Sequence, residues 1–294
     1  MRILVTNDDG VFSPGIAALA EGMARAAGGD HEVVVVAPLA DHSGAGAAVG
    51  AVYERESIPY EAVEIPGLEH VPTFGVDGPP ALATILACIE GFGPRPDIVI
   101  SGVNNGANVG RSALHSGTIG AALTGAQFGL RGLAVSTTWG ADPVPWDTPV
   151  AVAESLFDVI AGAPPGTVLN LNVPALPLHQ VRGVRHARLS QSGLIRSVRS
   201  HHLADGSPIG GPATGELPAP GTAGAVRLAL RDASTEPGAT DGLDPDSDAA
   251  LLAAGWATIT PLAGVREDGG THRDLLPTAV AAAAALLGAA AETV

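Results

Sequence analysis

A chain of 294 residues is the length of one large α/β domain, or of one domain with an appendage, and its 46% hydrophobic content is enough to fill a sizeable core. The formal net charge of −15 excludes a protein that grips nucleic acid chiefly through the phosphate backbone, so no nucleic-acid duplex is expected as a partner. A mononucleotide is not excluded, because one phosphate needs only a metal and a few backbone amides.

All 15 basic residues are arginine, which rules out a Walker-type phosphate loop with its lysine. The one cysteine, Cys88, lies in an apolar stretch and reads as a small buried hydrophobe. With no disulfide framework, a cytoplasmic location is expected. The N-terminus reads as a strand rather than a signal peptide. The apolar tail from Thr278 to Ala291 is too short and too weakly hydrophobic for a membrane span, and reads as a packed terminal helix.

Residues 2–7 are a short apolar run, followed by Ile16, Leu19, Ala20, Met23 and Ala27 at helical spacing, then by the β-branched run 32–38. This is a β-α-β unit. Its strands are continuously apolar rather than alternating, which implies a parallel sheet covered on both faces. The pattern continues with a helix over 79–91, a strand over 97–100, a helix over 116–129, a strand over 132–137, a helix over 149–162 and a strand over 167–174. Residues 175–240 are rich in Pro, Gly, Arg, His and Ser, with short β-like pieces at 183–190 and 225–230. That is too long for an ordinary loop and predicts an extended arm or hairpin used in oligomerisation. A helix through 249–254 and a strand over 256–262 resume the globular pattern. The expected fold is a doubly wound, Rossmann-like α/β/α sandwich with a mostly parallel sheet, within a single domain spanning 1–294.

In open parallel sheets ligands bind beyond the carboxyl ends of the strands. Asn7-Asp8-Asp9-Gly10 follows the first strand, Asp41-His42-Ser43-Gly44-Ala45-Gly46 the second, and Ser101-Gly102-Val103-Asn104-Asn105-Gly106-Ala107-Asn108 the strand at 97–100. Adjacent carboxylates leaving a buried strand repel each other unless something neutralises them, and a hard divalent cation does so. A helix cap or turn is the competing reading for Asp8 and Asp9. Ser43, in its glycine-rich loop, reads as a metal or phosphate ligand or as a plain turn residue. His42 reads as a surface histidine. Asn104, Asn105 and Asn108 offer neutral carbonyl oxygens as well as turn-forming backbones. Ser116-Gly117-Thr118 opens a helix, where an N-cap and an anion site coexist.

Taken in order, these stretches resemble the SurE family. The resemblance is carried by Arg2-Ile3-Leu4-Val5-Thr6-Asn7-Asp8-Asp9-Gly10, Ala37-Pro38 with Ser43-Gly44, Ser101-Gly102-Val103-Asn104 with Gly106 and Asn108-Val109-Gly110, Ser116-Gly117-Thr118, Asn170-Leu171-Asn172-Val173-Pro174 and Thr258-Ile259-Thr260-Pro261-Leu262. It covers roughly residues 1–175 and 240–262. It implies a divalent metal, Mg²⁺ or Mn²⁺, held one per subunit by Asp8, Asp9, Ser43 and Asn104. It implies a phosphate pocket built from Asn108, Ser116, Gly117 and Thr118, and catalysis carried by Asp8 and Asp9. It also implies a C-terminal β arm that makes a homodimer or homotetramer. Family members often carry proline where Ala107 stands and acidic residues where Arg111-Ser112 stands; His42 takes the place of the basic residue before the loop Ser-Gly. The implied activity is hydrolysis of nucleoside 5′-monophosphates, with the 3′-monophosphates as further candidate substrates. The alternatives are a non-catalytic nucleotide-binding or stress-regulatory module and a phosphatase for another small phosphoester.

Overall fold

In the computed structural model of the chain, residues 1–29, 31–191 and 242–265 are described. The first element, β1 (Arg2–Thr6), is buried along its whole length, as a strand with helices on both sides must be. Pro14 then opens α1 (Pro14–Ala26), where a missing amide costs nothing and the fixed φ suits the first turn. β2 (Glu32–Pro38), β3 (Tyr60–Ala62), β4 (Thr73–Val76) and α2 (Pro80–Cys88) follow. Next come β5 (Ile98–Asn105), α3 (Gly117–Gln127), β6 (Arg131–Thr137), α4 (Asp147–Ser155), α5 (Phe157–Ala161) and β7 (Val168–Val173). β8 (Val184–His186), α6 (Asp248–Ala253) and β9 (Ala257–Leu262) complete the described elements.

The strands form one sheet in the order β3-β4-β2-β1-β5-β6-β7-β9-β8. From β4 through β7 every neighbouring pair is parallel, while β3 and β9 join antiparallel. Alternate side chains of each strand feed opposite layers. Ile3 and Val5 pack with Ile16, Leu19 and Met23 of α1 and with Val150 of α4 and Phe157 of α5. Leu4 packs instead with Ala83, Ala87 and Cys88 of α2. Ile119 and Ala122 of α3 meet Ala134 of β6 on that same second face. This is the α/β/α sandwich read from the sequence.

Four local differences from the sequence reading have physical causes. β3 and β4 were not anticipated: they are short, and Gly75 interrupts the apolar run that would mark β4. β5 does not stop at Ile100; its register against β6 shifts between Ser101 and Asn104, and the strand resumes through Asn104 and Asn105. The helix predicted over 149–162 is two helices, parted at Leu156. Residues 184–186 fall in the β-like piece read at 183–190, but their strand, β8, pairs with β9 and so belongs to the main sheet. The remainder of that arm at 192–241, with the β-like piece at 225–230, and the terminal helix at 278–291 lie outside the described residues. Among the described residues no helix is long and apolar enough to cross a membrane.

Candidate active site

The turn after β1 is set by Asn7. Its side chain is fully buried, and Nδ2 donates to the Gly10 carbonyl at 2.9 Å and to Ser13 Oγ at 2.7 Å. This ties the strand end to the start of α1 and commits Asp8 and Asp9 to the crevice. The loop after β2 is fastened to the same turn: the His42 amide donates to the Asp8 carbonyl at 2.8 Å.

Asp8 is 3% exposed and points at the N-terminus of α3. Thr118 Oγ1 donates to its Oδ1 at 2.6 Å, and the Gly117 and Thr118 amides add further hydrogen bonds. Such donors, and the positive end of the helix, favour a carboxylate. Burial outweighs them and holds the Asp8 carboxyl above its ordinary range. Gly117 is what allows so close an approach: a Cβ there would lie 2.7 Å from Asp8 Cβ.

Asp9 is pushed from 3.8 to about 7, first by burial, then by the negative charges of Asp8 and Asp41, against a hydrogen bond from the Asn105 amide. Among the described residues no ion pair reaches Asp8 or Asp9. A buried and a half-buried carboxylate therefore stand together with no cationic side chain beside them among the described residues, the situation that a bound metal relieves. No group of three or more His, Cys, Asp or Glu side chains is gathered among the described residues. A cation here would rest on two carboxylates and neutral oxygens, which suits a hard ion that keeps several waters.

The other expected ligands are placed as follows. Ser43 is exposed, and its Oγ and amide both donate to Asp41 Oδ1, at 2.6 and 2.7 Å. These bonds hold the Asp41 carboxyl below its usual value. Its hydroxyl proton is committed to Asp41, which leaves the oxygen's lone pairs as acceptors. Asn104 sits half-buried near the end of β5, where Nδ2 donates to the Gly106 carbonyl at 2.5 Å and fixes which end of the amide group can ligate. Ser116 Oγ accepts from the Ile119 amide at 3.1 Å, so the hydroxyl serves as the N-cap of α3.

Asn108 is held by residues far along the chain. Its amide donates to Asn172 Oδ1 at 2.7 Å, and its Nδ2 to Ser136 Oγ at 2.9 Å. Its carbonyl accepts from Asn170 Nδ2 at 2.8 Å and Asn172 Nδ2 at 3.1 Å. The turn beyond is pinned by Asp248, fully buried, whose carboxylate accepts from the Gly110 amide at 2.8 Å and the Ser190 amide at 2.9 Å. Asn7, Asp41, Asn170, Asn172 and Asp248 thus shape the site without having been singled out as its residues. Only the Asn-Leu-Asn-Val-Pro spacing offered a signal, as two side chains on one face of a strand.

The fold and these side chains define a class: an α/β sandwich with a paired-carboxylate crevice at its strand ends, facing a helix N-terminus. Comparison with known proteins gives the family. Residues 3–195 match the family model described as Survival protein SurE. A protein named 5′-nucleotidase SurE from Chloroflexus aggregans is 35% identical over 93% of this chain and 96% of its own. One of the same name from Symbiobacterium thermophilum is 42% identical over 64% of this chain and 72% of its own. The crystal structure of the SurE protein from Aquifex aeolicus superposes with a TM-score of 0.70 at 24% identity, covering 95% of this chain and 99% of that one. The chain belongs to the SurE family.

The raised Asp9 value has a measurable consequence. A carboxyl whose folded pKa lies above its unfolded one favours the fold when protonated. That stability is full below about 3.8 and is lost as pH rises through about 7. In chelator, the Tm of the protein is expected to fall across that window, and Asp9→Asn to flatten the fall. Added Mn²⁺ is expected to raise the Tm more above about pH 7 than below it, since its ligands must be deprotonated. An Asp9→Asn protein with an unchanged pH profile would contradict this account of the pair.

Proposed function

We propose that this protein is a metal-dependent 5′-nucleotidase that also accepts 3′-monophosphates, releasing a nucleoside and inorganic phosphate. The observation that carries the reading is the adjacent pair of Asp8, buried, and Asp9, half-buried, which has no cationic partner among the described residues and is set against the N-terminus of α3. Relatives bearing the name 5′-nucleotidase support the substrate class.

One Mg²⁺ or Mn²⁺ per chain fits the hard oxygens of Asp8, Asp9 and Asn104. Ser43 Oγ gives its proton to Asp41 and keeps its lone pairs for an ion. Such an ion, when bound, neutralises phosphate charge and makes bound water acidic. The chain's own residues do the positioning. The Gly117 and Thr118 amides and the Thr118 hydroxyl, which now serve Asp8, are the donors an anionic phosphoryl group would find at this helix end. Ser116 keeps that first turn wound through its cap. Asn108 is fixed by Ser136, Asn170 and Asn172, so its side chain reorganises little when a phosphate arrives.

Homodimer or homotetramer formation through residues 175–240 belongs to the same proposal and rests on the family resemblance; light scattering measures it directly. A cytoplasmic setting accords with the one free thiol, Cys88.

The test is phosphate release from 5′- and 3′-nucleoside monophosphates beside sugar phosphates, with Mn²⁺. Release from the 5′-nucleotides, and more slowly from the 3′ series, is expected. Turnover of sugar phosphates far above every nucleotide would replace the substrate class. No release from any of them would leave a nucleotide-binding module.

A further inference from the structure

The sheet edge that carries Asp9 and Asn104 has a second feature. A cavity of about 420 Å³ opens where β6 and β7 end and β9 begins. Thr138, Trp139, Pro174, Leu176, Leu252 and Ala253 form much of its wall. Its size falls within the roughly 300–1,000 Å³ of small-ligand pockets.

Trp139 is 49% exposed, a large apolar area to leave in water. Yet the ring is anchored. Its indole N–H donates to the Asn105 carbonyl. Gly106 lacks a side chain where the ring packs: a Cβ there would lie 2.7 Å from Nε1 and 2.9 Å from Cε2. The Asn105 amide, on the same residue, binds Asp9. One aromatic side chain therefore touches both the backbone that supports the acidic pair and the wall of the cavity.

Strand order sets the separation. β6 and β7 lie one and two strands from β5, so the cavity stands roughly 5–10 Å along the sheet edge from the ends that carry Asn104 and Asn105. A mononucleotide whose phosphate reaches an ion at Asn104 is long enough to span that separation.

We propose that this cavity is the nucleobase subsite of the crevice, with Trp139 as its stacking face. The proposal rests on the nucleotidase reading above and deepens it. Every base has a π-face, and stacking is indifferent to which base presents it. None of the described residues lining the cavity is charged, so the subsite grips the face of a base without reading its edge. Purine and pyrimidine nucleotides are therefore both accepted, and a sugar phosphate without a base loses the contact.

The experiment is steady-state kinetics with Mn²⁺ on adenosine 5′-monophosphate, uridine 5′-monophosphate and ribose 5-phosphate. The proteins are wild type, Trp139→Ala and Ala253→Leu. Ala253 is an exposed position at the end of α6, so leucine fills the cavity from outside and leaves the Trp139–Asn105 bond intact. Wild type is expected to prefer both nucleotides to ribose 5-phosphate in kcat/KM. Trp139→Ala is expected to raise KM for the nucleotides about tenfold with little change in kcat, and so to collapse that preference. Ala253→Leu is expected to shift KM in the same direction. A preference that survives both substitutions overturns the subsite. So does a Trp139→Ala protein that loses kcat equally on all three substrates with KM unchanged, which would make Trp139 a buttress for Asn105. Wild type equally active on all three overturns the subsite alone. Wild type inactive on all three overturns the nucleotidase reading and the subsite with it.

Discussion

Asp8→Asn protein is expected to hydrolyse nucleoside monophosphates roughly 10³-fold more slowly than wild type while melting at an equal or higher temperature in chelator. The two effects have one origin. Asp8 is 3% exposed, and burial holds its carboxyl above the ordinary range despite the donors around it. The ionised form is therefore a burden on the metal-free fold. Asparagine keeps the size and one acceptor oxygen for Thr118 Oγ1, which now donates to Asp8 Oδ1 at 2.6 Å. It removes the charge that recruits a cation, and several kcal/mol of charge stabilisation amounts to roughly a thousandfold in rate. Turnover and thermal melting, each with Mn²⁺ and with chelator, measure both. A protein that loses Tm in chelator in step with its activity would make Asp8 a structural residue instead.

Gly117→Ala is the second large effect. The new Cβ would fall 2.7 Å from Asp8 Cβ, 2.8 Å from Asp8 Oδ2 and 3.0 Å from Pro80 Cγ. None of these yields easily, since Asp8 sits in the turn after β1 that Asn7 and the His42 amide hold, and Pro80 opens α2. The start of α3 must retreat, taking the Gly117 and Thr118 amides with it. A displacement near 1 Å at a catalytic centre costs roughly 10²-fold in rate. The expected result is that loss in kcat/KM with the far-ultraviolet circular dichroism of wild type. Wild-type kinetics would show that the helix end does not face the reacting group.

The parts of the fold that were legible in the sequence are those where burial on both faces leaves a continuous apolar run. β1, β2 and β6 are of this kind, and Ile3 and Val5 feed one layer while Leu4 feeds the other. β4 was not legible, because Gly75 breaks a strand of Thr73–Val76 that needs only four residues to pair with β2. Nor was the continuation of β5, since Gly102 and Val103 read as a loop while the register shift there lets Asn104 and Asn105 rejoin β6. In the site, Asp8 and Asp9 stood out because adjacent charges after a buried strand demand an explanation. Ser116 was legible as a cap, and Thr118 as part of the same turn, but not as the donor to Asp8. The contacts that hold Asn108 join positions 62 and 64 residues apart, and the Asn170–Asn172 spacing marks one strand face without naming Asn108 as what it holds. Asp41 illustrates the same limit: its neighbour Ser43 drew attention, yet Asp41 accepts the Ser43 hydroxyl and adds its charge to Asp9.

The central claim is that catalysis depends on a cation held by the Asp8–Asp9 pair. The most direct test is phosphate release from adenosine 5′-monophosphate by chelator-stripped protein as Mn²⁺ is titrated back. No turnover is expected at the start, followed by a rise that saturates at one ion per chain. Full turnover by the stripped protein, unchanged by added Mn²⁺, would contradict it.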